Sequence, residues 1–324
     1  MKIHSNQFIQ LADVAIADPQ IQSAVEKGTN NAVANRLLAM SETNKEHGEA
    51  LRSQAAAIKR NALNRLPELL QQVETNMQAN GIVVLWAADA AEARQHVLNI
   101  AKEHKISKVA KSKSMVTEEI ALNEALQQNG IATIETDLGE YILQLNHEAP
   151  SHIVAPVIHK TKESIQKIFS AEIDMPPTDD AAEMVHYVRG QLREEFLSAG
   201  MGISGANFLV AETGTICLVT NEGNGSLVTL LPDVHIAITG IEKIVPTLED
   251  YALLTQLLPR SATGQKMTVY TNMINGPRPD TESAGPEHVY VILVDNGRSE
   301  IYASNYAEAL ACIRCGACLN ICPV

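Results

Sequence analysis

Four of the five cysteines in this 324-residue chain fall within eleven residues, in the run Cys312-Ile-Arg-Cys315-Gly-Ala-Cys318-Leu-Asn-Ile-Cys322-Pro323. Thiolates two residues apart converge on one face of a compact loop and can hold three irons of a 4Fe–4S cube. In bacterial ferredoxins with this spacing, the fourth cysteine serves a second cluster. Gly316 lets the backbone pass close to such a cluster without a Cβ clash. Zinc is the other metal that four cysteines can hold, but zinc sites usually pair two CxxC knuckles across a longer loop. The spacing therefore names Cys312, Cys315, Cys318 and Cys322 as metal ligands and electron transfer as their chemistry. A two-cluster module needs a second cysteine run, which is absent here. Cys217 is no substitute, because it sits in the apolar run 216–219 and reads as a core residue. The expectation is a longer parent chain with two clusters, and an incomplete or empty site in these residues.

Four further polar clusters could bind a ligand. Lys111, Ser112, Lys113 and Ser114 follow a strand-like run and open a helix, where amides, hydroxyls and ammonium groups can meet an anion. Glu135, Thr136 and Asp137 occupy the equivalent place after the next strand. In an open α/β sheet, both sets lie at the carboxyl edge, where ligands usually bind. Glu212, Thr213 and Gly214 precede the apolar run 215–220, and Asn221, Glu222, Gly223 and Asn224 follow it. Helix caps and tight turns explain all of these residues as well as a binding site does.

Two patterns are discounted. Gly200, Gly202 and Gly205 satisfy GxGxxG, but a dinucleotide loop must leave a strand and enter a helix. Here a helix precedes and a strand follows, which suggests a helix C-cap and a flexible turn, with Ser204 beside a pocket. His235 lies on an apolar strand and reads as a satisfied core histidine.

The elements that must position these groups follow from the apolar pattern. Residues 1–80 read as a helical arm, with Leu51, Ala55, Ile58, Leu63, Leu66 and Leu69 near helical spacing and Pro67 as a kink. From residue 82 short apolar runs (82–86, 106–110, 131–135) alternate with helices, the first capped by Asp89. A single helix is expected between Ser114 and Gly130. Asp137 and Glu140 together resemble a capping box. Alternation of this kind predicts a parallel sheet with helices on both faces. Beyond residue 150 a weak strand (153–157), helices at 163–169 and 179–197, and a hairpin (207–211 with 215–220) are expected. Strands at 234–238, 267–270 and 289–294 and a helix at 247–258 complete a more mixed second half.

Composition narrows the partners. A formal net charge of −13 argues against a general nucleic-acid surface and against an anionic membrane leaflet. No apolar run approaches the roughly 20 residues of a membrane span, and no secretory leader is recognisable, so a cytoplasmic location is expected.

Taken in order, several of these stretches resemble the lactate utilisation protein B family, iron–sulfur proteins that carry a LUD domain. They are 111–115, 135–140, 205–207 with 211–215, 220–224, Gly276-Pro277-Arg278 and the cysteine run. The resemblance implies a NagB/RpiA/CoA-transferase-like α/β mixed sheet with flanking helices. It divides the chain into an arm (1–80), a LUD domain (81–303) and the start of a 4Fe–4S ferredoxin-type domain (304–324). It also implies oxidation of L-lactate to pyruvate together with two partner proteins encoded beside it. In that fold group strand–loop edges bind small molecules and an acidic residue often does the chemistry, which makes Glu212 the catalytic candidate. A group-transfer or isomerase-like enzyme and a partner-binding scaffold are the alternative functions.

Overall fold

The computed structural model describes residues 7–41 and 45–322, so Pro323 at the end of the cysteine motif lies outside the described residues. Helices lead the chain: α1 (Phe8–Ala17), α2 (Pro19–Met40), α3 (Lys45–Asn64) and α4 (Leu66–Ala79). Pro67 occupies the first turn of α4, where its missing N–H costs nothing, and so marks a helix start.

Next come β1 (Val83–Ala87), α5 (Ala90–Glu103), β2 (Lys108–Lys111), α6 (Met115–Glu119), α7 (Leu122–Gln128), β3 (Ala132–Glu135) and α8 (Leu138–Leu145). After a loop follow α9 (Lys162–Glu172), α10 (Ala181–Ser198), β4 (Met201–Ser204), β5 (Phe208–Val210), β6 (Thr215–Thr220) and α11 (Asn224–Leu230). The last elements are β7 (Val234–Gly240), β8 (Ile244–Val245), α12 (Leu248–Ala262), β9 (Tyr270–Ile274), β10 (His288–Val294) and α13 (Arg298–Tyr302).

Six of the strands pair in parallel in the order β1-β10-β7-β4-β2-β3. The pleat sorts the apolar side chains by face. Tyr290, Ile292 and Val294 of β10 join Ile236 and Ile238 under α5, α6 and α7. Val289, Val291 and Leu293 face the opposite way, onto Leu69, Val73 and Met77 of α4 and onto Leu209 and Ile216. Those last two belong to a second, mixed sheet of order β8-β5-β6-β9. Its outer face is covered by α3 and α12 through Leu51, Ala55, Tyr251, Leu254 and Leu258. Helices α8, α9 and α10 form a fourth cluster beside β2. Among the described residues no helix is long and apolar enough to cross a membrane.

The α/β sheet with flanking helices is the fold class expected, and the hairpin is present as β5 antiparallel to β6. Several local expectations need correction. Of residues 1–80, expected as a helical arm, α3 and α4 contribute buried core residues, whereas α1 and α2 lie mostly outside the core. Residues 153–157 form bends and turns instead of a strand. The expected single helix before Gly130 is split at Ala121, which takes a left-handed backbone between α6 and α7. The 267–270 strand begins only at Tyr270.

The glycine pattern is neither a dinucleotide loop nor a flexible turn. It spans β4, in the middle of the parallel sheet. A Cβ on Gly202 would collide with the Val228 carbonyl oxygen of α11, and one on Gly205 would lie 2.8 Å from Ser114 Oγ. These glycines let neighbouring backbone approach the strand.

Candidate functional site

The carboxyl ends of β2 and β3 carry the charged loops, and the structure separates them into two compartments. The first is a cavity of about 300 Å³ between the parallel sheet, β6 and the end of α12. Ser112 and Lys113 enter it from the loop after β2, and Asp137 from the N-terminus of α8. Asn207, Asn221, Glu222 and Asn224 enter from the second sheet and its turns, and Arg314 from the cysteine loop.

Each side chain is held by local geometry. Asp137 caps α8, its Oδ1 accepting from the amides of Gly139 (3.0 Å) and Glu140 (3.2 Å). Its Oδ2 accepts from Lys113 Nζ at 3.2 Å, and the same ammonium donates to the Val154 carbonyl at 3.1 Å. Ser112 is fixed by its amide, which donates to the Ile203 carbonyl at 2.9 Å. Asn221 spends its amide on structure: Nδ2 donates to Gln265 Oε1 at 2.6 Å and Oδ1 accepts from Val269 N at 3.1 Å. Desolvation and the Asp137 carboxylate raise the Glu222 carboxyl above the ordinary range, against the pull of Lys113.

The cysteine loop forms one wall of this compartment. Its Gly316 has φ +74°, and a Cβ there would meet Val154 at 2.8 Å and Ile153 at 3.2 Å, two residues that themselves line the cavity. Ile313 and Cys315 pack against the core under α3 and α12. The Arg314 amide donates to Cys312 Sγ at 3.4 Å.

Beneath the loop lies a buried cationic group. Lys59 Nζ donates to the carbonyls of Glu242 (2.7 Å) and Ile244 (3.3 Å). Arg298 donates to Glu242 Oε2 at 2.7 Å and to Glu119 Oε2 at 2.9 Å. Burial lowers both Lys59 and Lys243 to about 8, and the Cys312 sulfur opposes that shift in each. Lys59, Lys243, Arg298 and Arg314 thus outnumber Glu119 and Glu242 by two charges.

Soft thiol donors, an amide directed at sulfur and a surplus of buried cations suit an anionic thiolate-bound cluster. The donor set therefore fits an iron–sulfur group. All four cysteines are free thiols, and among the described residues no three His, Cys, Asp or Glu side chains are drawn together as a metal-binding group. Burial pushes the Cys315 thiol up, which favours its protonated form.

The second compartment, about 350 Å³, lies on the other side of α8. Lys111 is wholly buried beside it and pairs with Glu135 Oε1 at 2.8 Å and Glu118 Oε1 at 3.2 Å. Glu135 and Glu140 line it.

The other sequence candidates line neither cavity. Thr136 donates to the Lys111 carbonyl at 2.9 Å, and Ser114 caps α6. Gly223 precedes α11 with open space around it. Glu212, Thr213 and Gly214 stand at the end of β6 remote from Thr220 and outside both cavities. Glu212 Oε2 accepts from Leu248 N at the start of α12. Asn76 of α4 and Asn80 at its C-terminal cap donate to the carbonyls of Ala211, Glu212 and Thr213. Gly214, in the turn of the hairpin, has φ +67°, and the α4 backbone at Asn76 and Met77 abuts it. This turn clamps a helix.

Cys217, fully buried with its thiol pushed to about 12 by burial, is the core residue expected. Glu140, Asn207 and Arg314 were missed. Asn207 and Arg314 sit inside motifs read for other reasons, and Glu140 was read as a helix cap.

The LUD domain family matches residues 70–294. A lactate utilization protein B from Shouchella clausii is 45% identical over 323 residues, covering 96% of this chain and 68% of that one. Proteins of the same name from Bacillus cereus and Bacillus pumilus are each 43% identical, covering all of this chain and 68% of theirs. A crystal structure of a DUF162 family protein from Deinococcus radiodurans aligns with a TM-score of 0.37 and 16% identity, over 71% of this chain and 98% of that one.

Proposed function

This chain belongs to the LUD-domain family and, within it, to the lactate utilization protein B group, and from that premise we propose that it is an iron–sulfur electron carrier in the oxidation of L-lactate to pyruvate. Cys312, Cys315 and Cys318 would hold one 4Fe–4S cluster, with Cys322 directed to another. A bound cluster supplies a one-electron acceptor. Two neighbouring lactate-utilisation proteins would be its partners in the cytoplasm.

The observation that carries this reading is the shared wall. Arg314, between two of the cysteines, lines the same cavity as Lys113 and Asp137. A small 2-hydroxy acid would place its carboxylate near Lys113 and Arg314, with Glu222 able to take a proton. The surplus of buried cations under Cys312 supports an anionic group at the loop.

Anaerobic reconstitution with iron and sulfide tests it. The expected product is brown, contains near-equal iron and sulfide, and gives a paramagnetic signal on reduction that Cys315→Ser abolishes. Absence of iron and sulfide after reconstitution would sink the proposal.

One feature favours an added scaffold role. Helix α1 has no buried residue and exposes Phe8, Ile9, Leu11, Val14 and Ile16. An apolar helix so exposed is a ready docking surface. Deleting residues 1–18 without loss of partner co-purification would remove that role.

A further inference from the structure

Two lysines lie buried in the cationic group beneath the cysteine loop, Lys59 at 3% and Lys243 at 5% exposure. Lys59 comes from α3, which packs on the short 3-10 helix Ala307–Ala311 that leads straight into Cys312. Its ammonium donates only to carbonyls, those of Glu242 and Ile244. Lys243 stands in the turn between β7 and β8. Among the described residues its Nζ makes no hydrogen bond, and Glu242 Oε1 is 3.9 Å away.

Glu242 does not belong to either lysine. Its Oε2 takes the Arg298 guanidinium of α13 at 2.7 Å, and Arg314 approaches its Oε1 at 3.9 Å. Glu119 of α6 is shared in the same way between Arg298 at 2.9 Å and Arg314 at 3.6 Å. A further cation faces the loop from α2, where Arg36 lines a small cleft with Ala317 and Cys318 and its Nε is buried without an acceptor. Burial is the main cause that disfavours the charged form of Lys59 and Lys243, and for Lys59 the neighbouring Lys243 adds to it. Glu242, and after it the Cys312 sulfur, favours the charged form of both. Negative charge gathered at the loop lowers the electrostatic cost of the pair.

We propose that Lys59 and Lys243 raise the reduction potential of the cluster held at Cys312, Cys315 and Cys318, an inference that rests on the iron–sulfur reading above. The event concerned is the entry of one electron: no bond forms or breaks, no proton moves, and the site becomes one charge more negative. Fixed positive charge stabilises that more negative state. Because both lysines are buried, salt screens them little. A packing role predicts the opposite sign. Loosening the loop admits water, which also stabilises the more negative state, so loss of a packing residue raises the potential whereas loss of a cation lowers it.

Redox titration of the intact, reconstituted chain with dithionite, followed by the paramagnetic signal of the reduced cluster, tests the proposal. Lys243→Met keeps the reach of the side chain and removes its charge. It should make reduction about tenfold less favourable, a potential about 59 mV lower for one electron, in low and high salt alike. Lys59→Met should shift the potential the same way, and Lys243→Arg should hold it. Arg60→Met removes an exposed cation beside Lys59 on the same helix and should change the equilibrium less than about twofold. A potential unchanged or raised in Lys243→Met overturns the proposal, as does a shift that Arg60→Met matches. If Lys243→Met holds no cluster, retention by Lys243→Arg supports the charge role, and loss from both overturns it. Absence of a cluster from the wild type defeats the iron–sulfur reading and this proposal with it, whereas an unmoved potential leaves that reading intact.

Discussion

Protonation of His235 should weaken the fold, and the size of the effect follows from its surroundings. His235 lies on β7, at the centre of the parallel sheet and opposite Gly202 and Val289, with no exposed surface. Its Nε2 is 2.8 Å from Ser204 Oγ, and Ser204 Oγ is 3.0 Å from the Gly205 carbonyl. The serine hydroxyl therefore donates to Gly205, and the ring donates from Nε2 to the serine. Nδ1 is left as a bare acceptor without a partner. A second proton would sit on Nδ1 in an apolar interior with nothing to receive it. Burial accordingly lowers this imidazole from 6.5 to about 4.

A folded-state value below the unfolded one means that the stability is fully present above pH 6.5 and lost as the pH falls toward 4. At about 1.4 kcal/mol per pH unit the loss reaches about 3 kcal/mol by pH 4, and about 2.5 kcal/mol by pH 4.5. His235→Gln keeps a polar group that can meet Ser204 and does not titrate. Its packing cost enters equally at both pH values and cancels in the comparison. Urea unfolding of both proteins at pH 7 and 4.5 should show the wild type losing about 2.5 kcal/mol more than the variant. Equal losses, or an imidazole resonance titrating near pH 6.5, would refute the reasoning. The effect bears on function because Ser112 is bonded to Ile203 and Ser114 rests on Gly205, so this strand carries the Lys113 loop.

Other substitutions separate structure from chemistry. Gly214→Ala puts a Cβ 2.6 Å from Met77 N at a left-handed position, and should cost more than the ~1–2 kcal/mol of that conformation alone; a urea midpoint matching the wild type would contradict the clamp. Glu212→Ala removes the acceptor for Leu248 N and should cost about 1 kcal/mol of stability. It should leave reconstituted iron content unchanged, and lost iron would return Glu212 to the chemistry. Glu140→Gln should stabilise the protein more at pH 7 than at pH 4.5, the opposite slope to His235. The raised carboxyl in the fold penalises stability as pH climbs above the unfolded value. A pH-independent difference in urea unfolding would count against a protonated Glu140.

Much of the architecture was legible because its signals are local. Asp89 and Thr247 cap the helices they precede, and the apolar runs at 234–238 and 289–294 are central parallel strands. The 153–157 run failed because its apolar residues wall a cavity and support the cysteine loop, a tertiary role that carries no periodicity. The glycine triad, discounted as a dinucleotide loop, was misread as a flexible turn, since the close approach of α11 to a strand is a tertiary demand with no local signal. Glu212 could not be placed from the sequence because polar, glycine-containing turns bracket β6 at both ends, and only the fold decides which end faces the cavity. The Asp137–Glu140 pair was half right. Asp137 caps α8, but Glu140 does not reach back to the Asp137 amide, and its carboxyl is buried instead.

That half-made cap explains how one strand edge serves two compartments. Lys111 ends β2 and Lys113 follows two residues on; a continuing strand would put both on one face, so it is the departure of the chain from the strand after Lys111 that sends them to opposite sides. Lys111 turns to Glu135 and Lys113 to Asp137. At α8, Asp137 at the cap lines the first cavity and Glu140, three residues on, lines the second. A short segment of helix is thus the partition between a compartment walled by the cysteine loop and one lined by Glu135 and Glu140. Substitutions at Lys113 and at Glu140 act on different cavities yet share one wall. Any coupling between an occupant of one and the chemistry of the other must therefore pass through the first turn of α8.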